Sequence, residues 1–123
     1  MKDKTILVIE DDHWLAQQYR RVLIKAGFGV IISSNAQEAI NIIDDNPIDL
    51  IILDVLLTGS TAFALLHELQ SYGDTGNVPV IVCTNLFDEL PIEDLRPYGV
   101  DLILDKTKME PKDLAAAVNG ALR

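Results

Sequence analysis

The sequence predicts one α/β domain on an open parallel sheet, and three observations carry the prediction. Short runs rich in β-branched and aliphatic residues alternate five times with segments of helical period, the order that βαβ crossovers produce. Three of the runs are apolar almost throughout, as strands covered on both faces must be. The chain has 123 residues with no linker, repeat or shift of composition, a length that buries roughly two-thirds of its unfolded surface in one core.

The strands are expected at 5–9, 29–33, 50–54, 79–84 and 102–105. After the first, Leu15, Tyr19, Val22, Leu23 and Ala26 recur at helical spacing, and Gly27 supplies the stop. Asn35 and Glu38 resemble a capping box opening a second helix, which turns Ala39, Ile42 and Ile43 inward and closes before Pro47. A third helix carries Phe63, Leu65, Leu66 and Leu69 and runs into the glycine-rich loop at 73–77. The fourth is expected to be short or late in starting, because Pro91 and Pro97 each remove a backbone donor. Pro111 opens the fifth, with Leu114, Val118 and Leu122 inward, and the 123 residues read as a single domain.

Charge and composition exclude several functions. A net charge of −9 opposes direct attraction to nucleic acid. No apolar run approaches the ~20 residues of a membrane span, and no signal-peptide pattern precedes the first strand, so a cytoplasmic protein is expected. Cys83 is a lone cysteine in an apolar run, which rules out an internal disulfide and predicts a buried small hydrophobe.

In an open parallel sheet, ligands bind beyond the carboxyl ends of the strands, where strand order reverses. There the first strand ends in Glu10-Asp11-Asp12, the third in Asp54, the fourth in Thr84 and the fifth in Asp105-Lys106. Carboxylates brought within about 4 Å repel by roughly 4 kcal/mol per pair at an effective dielectric of about 20, so a cation belongs among them. Oxygen donors without histidine or thiolate suit Mg²⁺. Asp12 is equally well explained as a helix cap. His13 and His67 lack a ligand partner at helical spacing and are expected at the surface, and Trp14 is expected beside the pocket, partly exposed.

An acidic pair after the first strand, one aspartate after the third, a hydroxyl after the fourth and a lysine after the fifth resemble the CheY-like receiver domain of two-component response regulators. The resemblance covers essentially the whole chain through 6–12, 49–59, 78–84 and 99–106. It implies the flavodoxin-like doubly wound fold, a five-stranded parallel sheet in the order 2-1-3-4-5 with five helices. It further implies that Asp54 is the phosphoacceptor, assisted by Thr84 and Lys106. Mg²⁺ would be held by Glu10 through water, by Asp11 and Asp54, and by the backbone carbonyl of Leu56. The implied partners are a histidine kinase or histidine phosphotransfer protein, and a downstream protein bound through the fourth helix, fifth strand and fifth helix. Such a domain is a signalling phosphoacceptor that catalyses only its own phosphorylation and dephosphorylation, not an enzyme acting on other substrates.

The sequence departs from the family's usual pattern at several places. Thr58 stands where proline is usual and Thr61-Ala62 where Asp-Gly is usual. Ile103 replaces the usual aromatic before the lysine, and Asn85 a small residue. Thr107 replaces the proline whose peptide is normally cis, so either a costly non-proline cis bond is retained or the loop differs. Leu56 and Leu86, which flank the path of water to the phosphoryl group in the family, predict slow dephosphorylation. The rival reading is a divergent receiver that binds a partner without phosphorylation. Haloacid-dehalogenase-like phosphatase chemistry is disfavoured because Leu56 stands where a second aspartate is needed, and flavin binding because the first strand ends in acids rather than a phosphate loop.

Overall fold

The structure is a computed structural model that describes residues 4–54, 66–68, 78–85 and 92–122. Five parallel strands, β1 (Thr5–Ile9), β2 (Gly29–Ser33), β3 (Leu50–Leu53), β4 (Val80–Thr84) and β5 (Val100–Asp105), form one sheet in the order β2-β1-β3-β4-β5. The helices are α1 (His13–Lys25), α2 (Ala36–Asp45), α3 (seen at 66–68), α4 (Ile92–Leu95) and α5 (Pro111–Ala121). Three of these, α1, α2 and α5, are delimited at both ends among the described residues, α4 is described from Ile92 onward, and α3 falls inside the predicted third helix.

Alternation along the strands feeds two cores. Leu7, Ile9, Ile51, Leu53, Val80 and Val82 meet Ala39, Ile43, Leu66 and Leu95 on one face. Ile6, Val8, Leu50, Ile52, Ile81 and Cys83 meet Tyr19 and Leu23 of α1 and Leu114 and Val118 of α5 on the other. Burial on both faces is why β3 and β4 carry no polar residue before their carboxyl ends, and β1 carries one only at its first position, Thr5.

Local chemistry fixes the helix ends. Asp12 caps α1 by accepting the Leu15 N–H at 3.1 Å, and Asn35 caps α2 by accepting the Glu38 N–H at 2.8 Å. Glu38 reaches back to the Ser34 N–H rather than that of Asn35, a one-residue variant of the predicted box. At the end of α1, Phe28 N–H bonds Leu23 C=O and Gly27 N–H bonds Ile24 C=O, a Schellman closure that requires the left-handed φ of 101° at Gly27. The fourth helical segment is described from Ile92: four residues of α4 run into a 3₁₀ turn over Arg96–Tyr98 that contains Pro97.

Strand five corrects the sequence reading, beginning at Val100 rather than at Leu102. Val80 pairs with Val100 but Ile81 with Leu102, so Asp101 is an extra, exposed residue in the β4–β5 ladder. Without that irregularity Val100 and Ile103, three apart, would face opposite sides of the sheet. With it both enter the core beneath α4.

Candidate functional site

The chain runs from β1 outward to β2 and returns to β3 on the other side of β1, so strand order reverses between β1 and β3. Glu10 and Asp54 are the first residues past those two strands. Their backbones continue the ladder: Glu10 N–H donates to Ser33 C=O at 2.9 Å and Asp54 N–H to Ile9 C=O at 3.3 Å. Both carboxylates are buried, Glu10 2% and Asp54 5% exposed. Carboxyl groups are almost never so enclosed without a partner.

Lys106 is a partner of both. Its ammonium donates to Glu10 Oε1 at 2.8 Å and to Asp54 Oδ2 at 2.5 Å, bridging positions 96 and 52 residues away in the chain. Burial alone would lower the lysine's pKa, but the two carboxylates outweigh it and the net direction is upward, so the ammonium stays charged. The Glu10 carboxyl is pushed up to about 7, chiefly by burial, with Asp54's charge adding to the rise and Lys106 opposing it. Asp11 is exposed beside them, and one oxygen each from Glu10, Asp11 and Asp54 lie within 4.8 Å of one another. Hard oxygen donors at that separation, two of them buried, suit a small divalent cation such as Mg²⁺.

Asp12 belongs to the helix rather than to this trio. It caps α1, and its own N–H donates to Glu10 Oε2 at 3.3 Å. Thr84 is fully buried at the end of β4, and its carbonyl accepts the Lys106 N–H at 2.9 Å, which ties the fourth and fifth strand ends together. Leu56, Thr58, Thr61, Ala62 and Leu86 lie outside the described residues.

Around the site, a cleft of about 480 Å³ between α1 and α5 is lined by Asp12, Trp14, Asn85 and Lys106 among others. Trp14 does stand beside the pocket, and at 71% exposure it is more open to solvent than its predicted position suggests. His13 is exposed at the start of α1, and His67 is exposed with its ring edge-on to Tyr98 at 6.4 Å between centroids. Neither histidine joins the acidic group. Beneath the site, burial pushes the Cys83 thiol up to about 12, so it behaves as the expected apolar filler. Ile103, at the position of the family's usual aromatic, is 7% exposed and packed in the core.

Two contributions go beyond the sequence reading, that of Ser33 and the turn that Asp105 makes after the fifth strand. Ser33 is fully buried; its carbonyl holds Glu10 and its hydroxyl donates to Asn35 C=O at 2.7 Å. Asp105 accepts both the N–H and the hydroxyl of Thr107 on Oδ1, at 2.9 and 2.6 Å. The Asp-x-Thr spacing is a turn signal that could have revealed the second. It also settles the loop after Lys106: there is no cis peptide bond among the described residues, so the loop differs from the family's usual one and this turn shapes it.

A doubly wound sheet with a lysine-bridged acidic centre at its switch point defines a class of domain, and the comparisons with known proteins resolve the class further. The model of the response regulator receiver domain matches residues 6–119. The chain is 30% identical over 126 residues to the phosphate regulon transcriptional regulatory protein PhoB of Pseudomonas aeruginosa, covering all of this chain and 53% of that protein. It is 31% identical over 121 residues to the transcriptional regulatory protein CpxR of Escherichia coli, covering 96% of this chain and 49% of the other. A response regulator from Thermotoga maritima superposes with a TM-score of 0.86 at 22% identity over 98% of each chain, a likeness of fold. The chain therefore belongs to the response regulator receiver domain family, and it spans about half the length of the curated relatives it matches.

Proposed function

We propose that this domain accepts a phosphoryl group on Asp54 from a histidine kinase or histidine phosphotransfer protein and thereby changes how a downstream protein binds α4, β5 and α5. The observation that carries the reading is the Lys106 ammonium set between two buried carboxylates at the switch point. In the transfer, an Asp54 carboxylate oxygen attacks phosphorus, the phosphorus–nitrogen bond of the phosphohistidine breaks, and the imidazole leaves. Lys106 neutralises charge on the transferred phosphoryl oxygens, and the Thr84 hydroxyl donates a hydrogen bond to one of them. Glu10, Asp11, Asp54 and the carbonyl of Leu56 would hold Mg²⁺, which supplies the remaining positive charge for a group whose oxygens are all anionic. The domain is no enzyme towards other substrates; it promotes its own modification.

On the output side, β5 is an edge strand with Leu102 exposed, next to α5. The expected setting is the cytoplasm, and no helix among the described residues is long and apolar enough to cross a membrane. A module that binds partners without phosphorylation has no use for Glu10 and Asp54 buried together, which favours the phosphoacceptor. Incubation with a small acyl phosphate and Mg²⁺ followed by intact mass should show one added phosphoryl group, absent in Asp54→Asn. No uptake by the unaltered protein, or undiminished uptake by the variant, overturns the assignment.

A further inference from the structure

Lys106 has to place a flexible four-carbon side chain against two carboxylates from other strands, and a free lysine has on the order of 2 kcal/mol of rotamer entropy working against any one placement. What holds its backbone therefore governs where the ammonium can be. On the strand side, the Lys106 N–H is fixed to Thr84 C=O at 2.9 Å. On the helix side, every described hydrogen bond that shapes the next turn converges on Asp105. Its carbonyl accepts the Lys108 N–H at 3.1 Å and the Met109 N–H at 3.0 Å. Its carboxylate Oδ1 accepts the Thr107 N–H and the Thr107 hydroxyl. Lys106 is the one residue spanned by all four of these bonds, and Thr107 is its immediate successor.

We infer that Asp105 and Thr107 are positioning residues for Lys106: the carboxylate–hydroxyl clamp fixes the peptide after the lysine and so aims the ammonium at Glu10 and Asp54. The inference deepens the phosphoacceptor reading and rests on it for its effect on rate. Its effect on geometry stands independently. Asp105 and Thr107 reach solvent at the loop surface, whereas the Lys106 side chain is only 12% exposed, so a change at the clamp acts through the lysine's backbone rather than through the core.

Thr107→Val keeps the shape and the N–H but deletes the hydroxyl, and Asp105→Ala removes both bonds to the carboxylate. Phosphoryl uptake from a small acyl phosphate should fall about 10-fold in Thr107→Val and further in Asp105→Ala, the scale expected for a sub-ångström misplacement of a charge-stabilising group. Thr107→Ser, which restores the hydroxyl, should recover the rate. In a Lys106→Ala background, Thr107→Val should change nothing more, because the residue through which it acts is gone. Nuclear magnetic resonance of the Lys106 ammonium reads the geometry without any transfer. Its hydrogen-bonded signal should persist in the unaltered protein and in Thr107→Ser, and broaden in Thr107→Val. An ammonium signal indifferent to Thr107→Val, or an additive loss in the Lys106→Ala background, overturns the clamp. Absent uptake by the unaltered protein together with a signal that responds to Thr107→Val overturns the phosphoacceptor reading alone.

Discussion

Two loops bring charge to Asp54, and they hold it by opposite means. In the β1–α1 loop, Glu10 is anchored by its own backbone to Ser33 of the neighbouring strand, while Asp12, two residues on, starts the helix. The carboxylate is placed by rigid elements on both sides. In the β5–α5 loop, Lys106 is placed by a turn whose hydrogen bonds are accepted by a half-buried aspartate, and its charge reaches the site on a long side chain. The acidic end is preorganised by secondary structure, and the basic end by a small polar hub. The acidic end is therefore expected to be robust in position but costly in charge, and the basic end inexpensive to build but easy to misplace.

The sharpest break of that comparison is Lys106→Ala. It leaves Glu10 and Asp54 buried with no lysine between them and should cost about 3 kcal/mol in denaturant unfolding at neutral pH. Adding Asp54→Asn removes one of the two like charges and should recover much of the loss. A single-variant cost below about 1 kcal/mol would mean that the acidic end does not rely on the lysine.

The second concerns which acids face the cation. Asp11→Asn should weaken Mg²⁺ binding by more than about 10-fold, whereas Asp12→Asn, whose side chain caps α1 equally well, should leave it nearly unchanged. Fluorescence of Trp14, beside the site, provides the titration. Equal weakening by the two variants would erase the distinction between ligand and cap.

Smaller still is the cap itself. Asp12→Ala should lower stability by about 1 kcal/mol by orphaning an N–H of the first turn of α1, and Asp12→Asn should not. Equal stability of the two, measured by thermal unfolding, would show that the loop is held by the Glu10–Ser33 ladder alone.

The smallest effect is a pH dependence at the basic end. Bonds from Thr107, first its hydroxyl and then its N–H, hold the Asp105 carboxyl below its ordinary range, with Lys108 adding to the effect. A carboxyl depressed in the folded state contributes stability above its unfolded pKa and loses it as pH falls through the folded one. Thr107→Val should therefore lower the thermal midpoint slightly at neutral pH, and the difference should vanish in acid. A difference that persists once acid has protonated the carboxyl in the folded state would trace to packing rather than to the carboxylate.

Much of this molecule was legible as sequence because the physics is local. The alternation of strand-like and helical segments placed five strands, and the near-continuous apolarity of three of them announced a sheet covered on both faces. Asp12, Asn35 and Gly27 marked helix ends through backbone bonds that span only a few residues. The strand ends gave Glu10, Asp11, Asp54, Thr84 and Lys106 as a set, because strands that run parallel must deliver their carboxyl ends to one rim.

What only the tertiary structure decided depends on pairing between distant segments. The extra residue at Asp101 comes from the register of β5 on β4, and it alone puts Val100 and Ile103 on one face; no pattern within 100–105 predicts it. Asp11 and Asp12 are neighbours of the same type, yet one lies near the other acidic oxygens and the other turns to cap a helix. Lys106 looks like any exposed lysine until two carboxylates from β1 and β3 meet it across the sheet. Charge is written in the sequence, but the field a charge feels is a sum over neighbours that only the folded chain assembles.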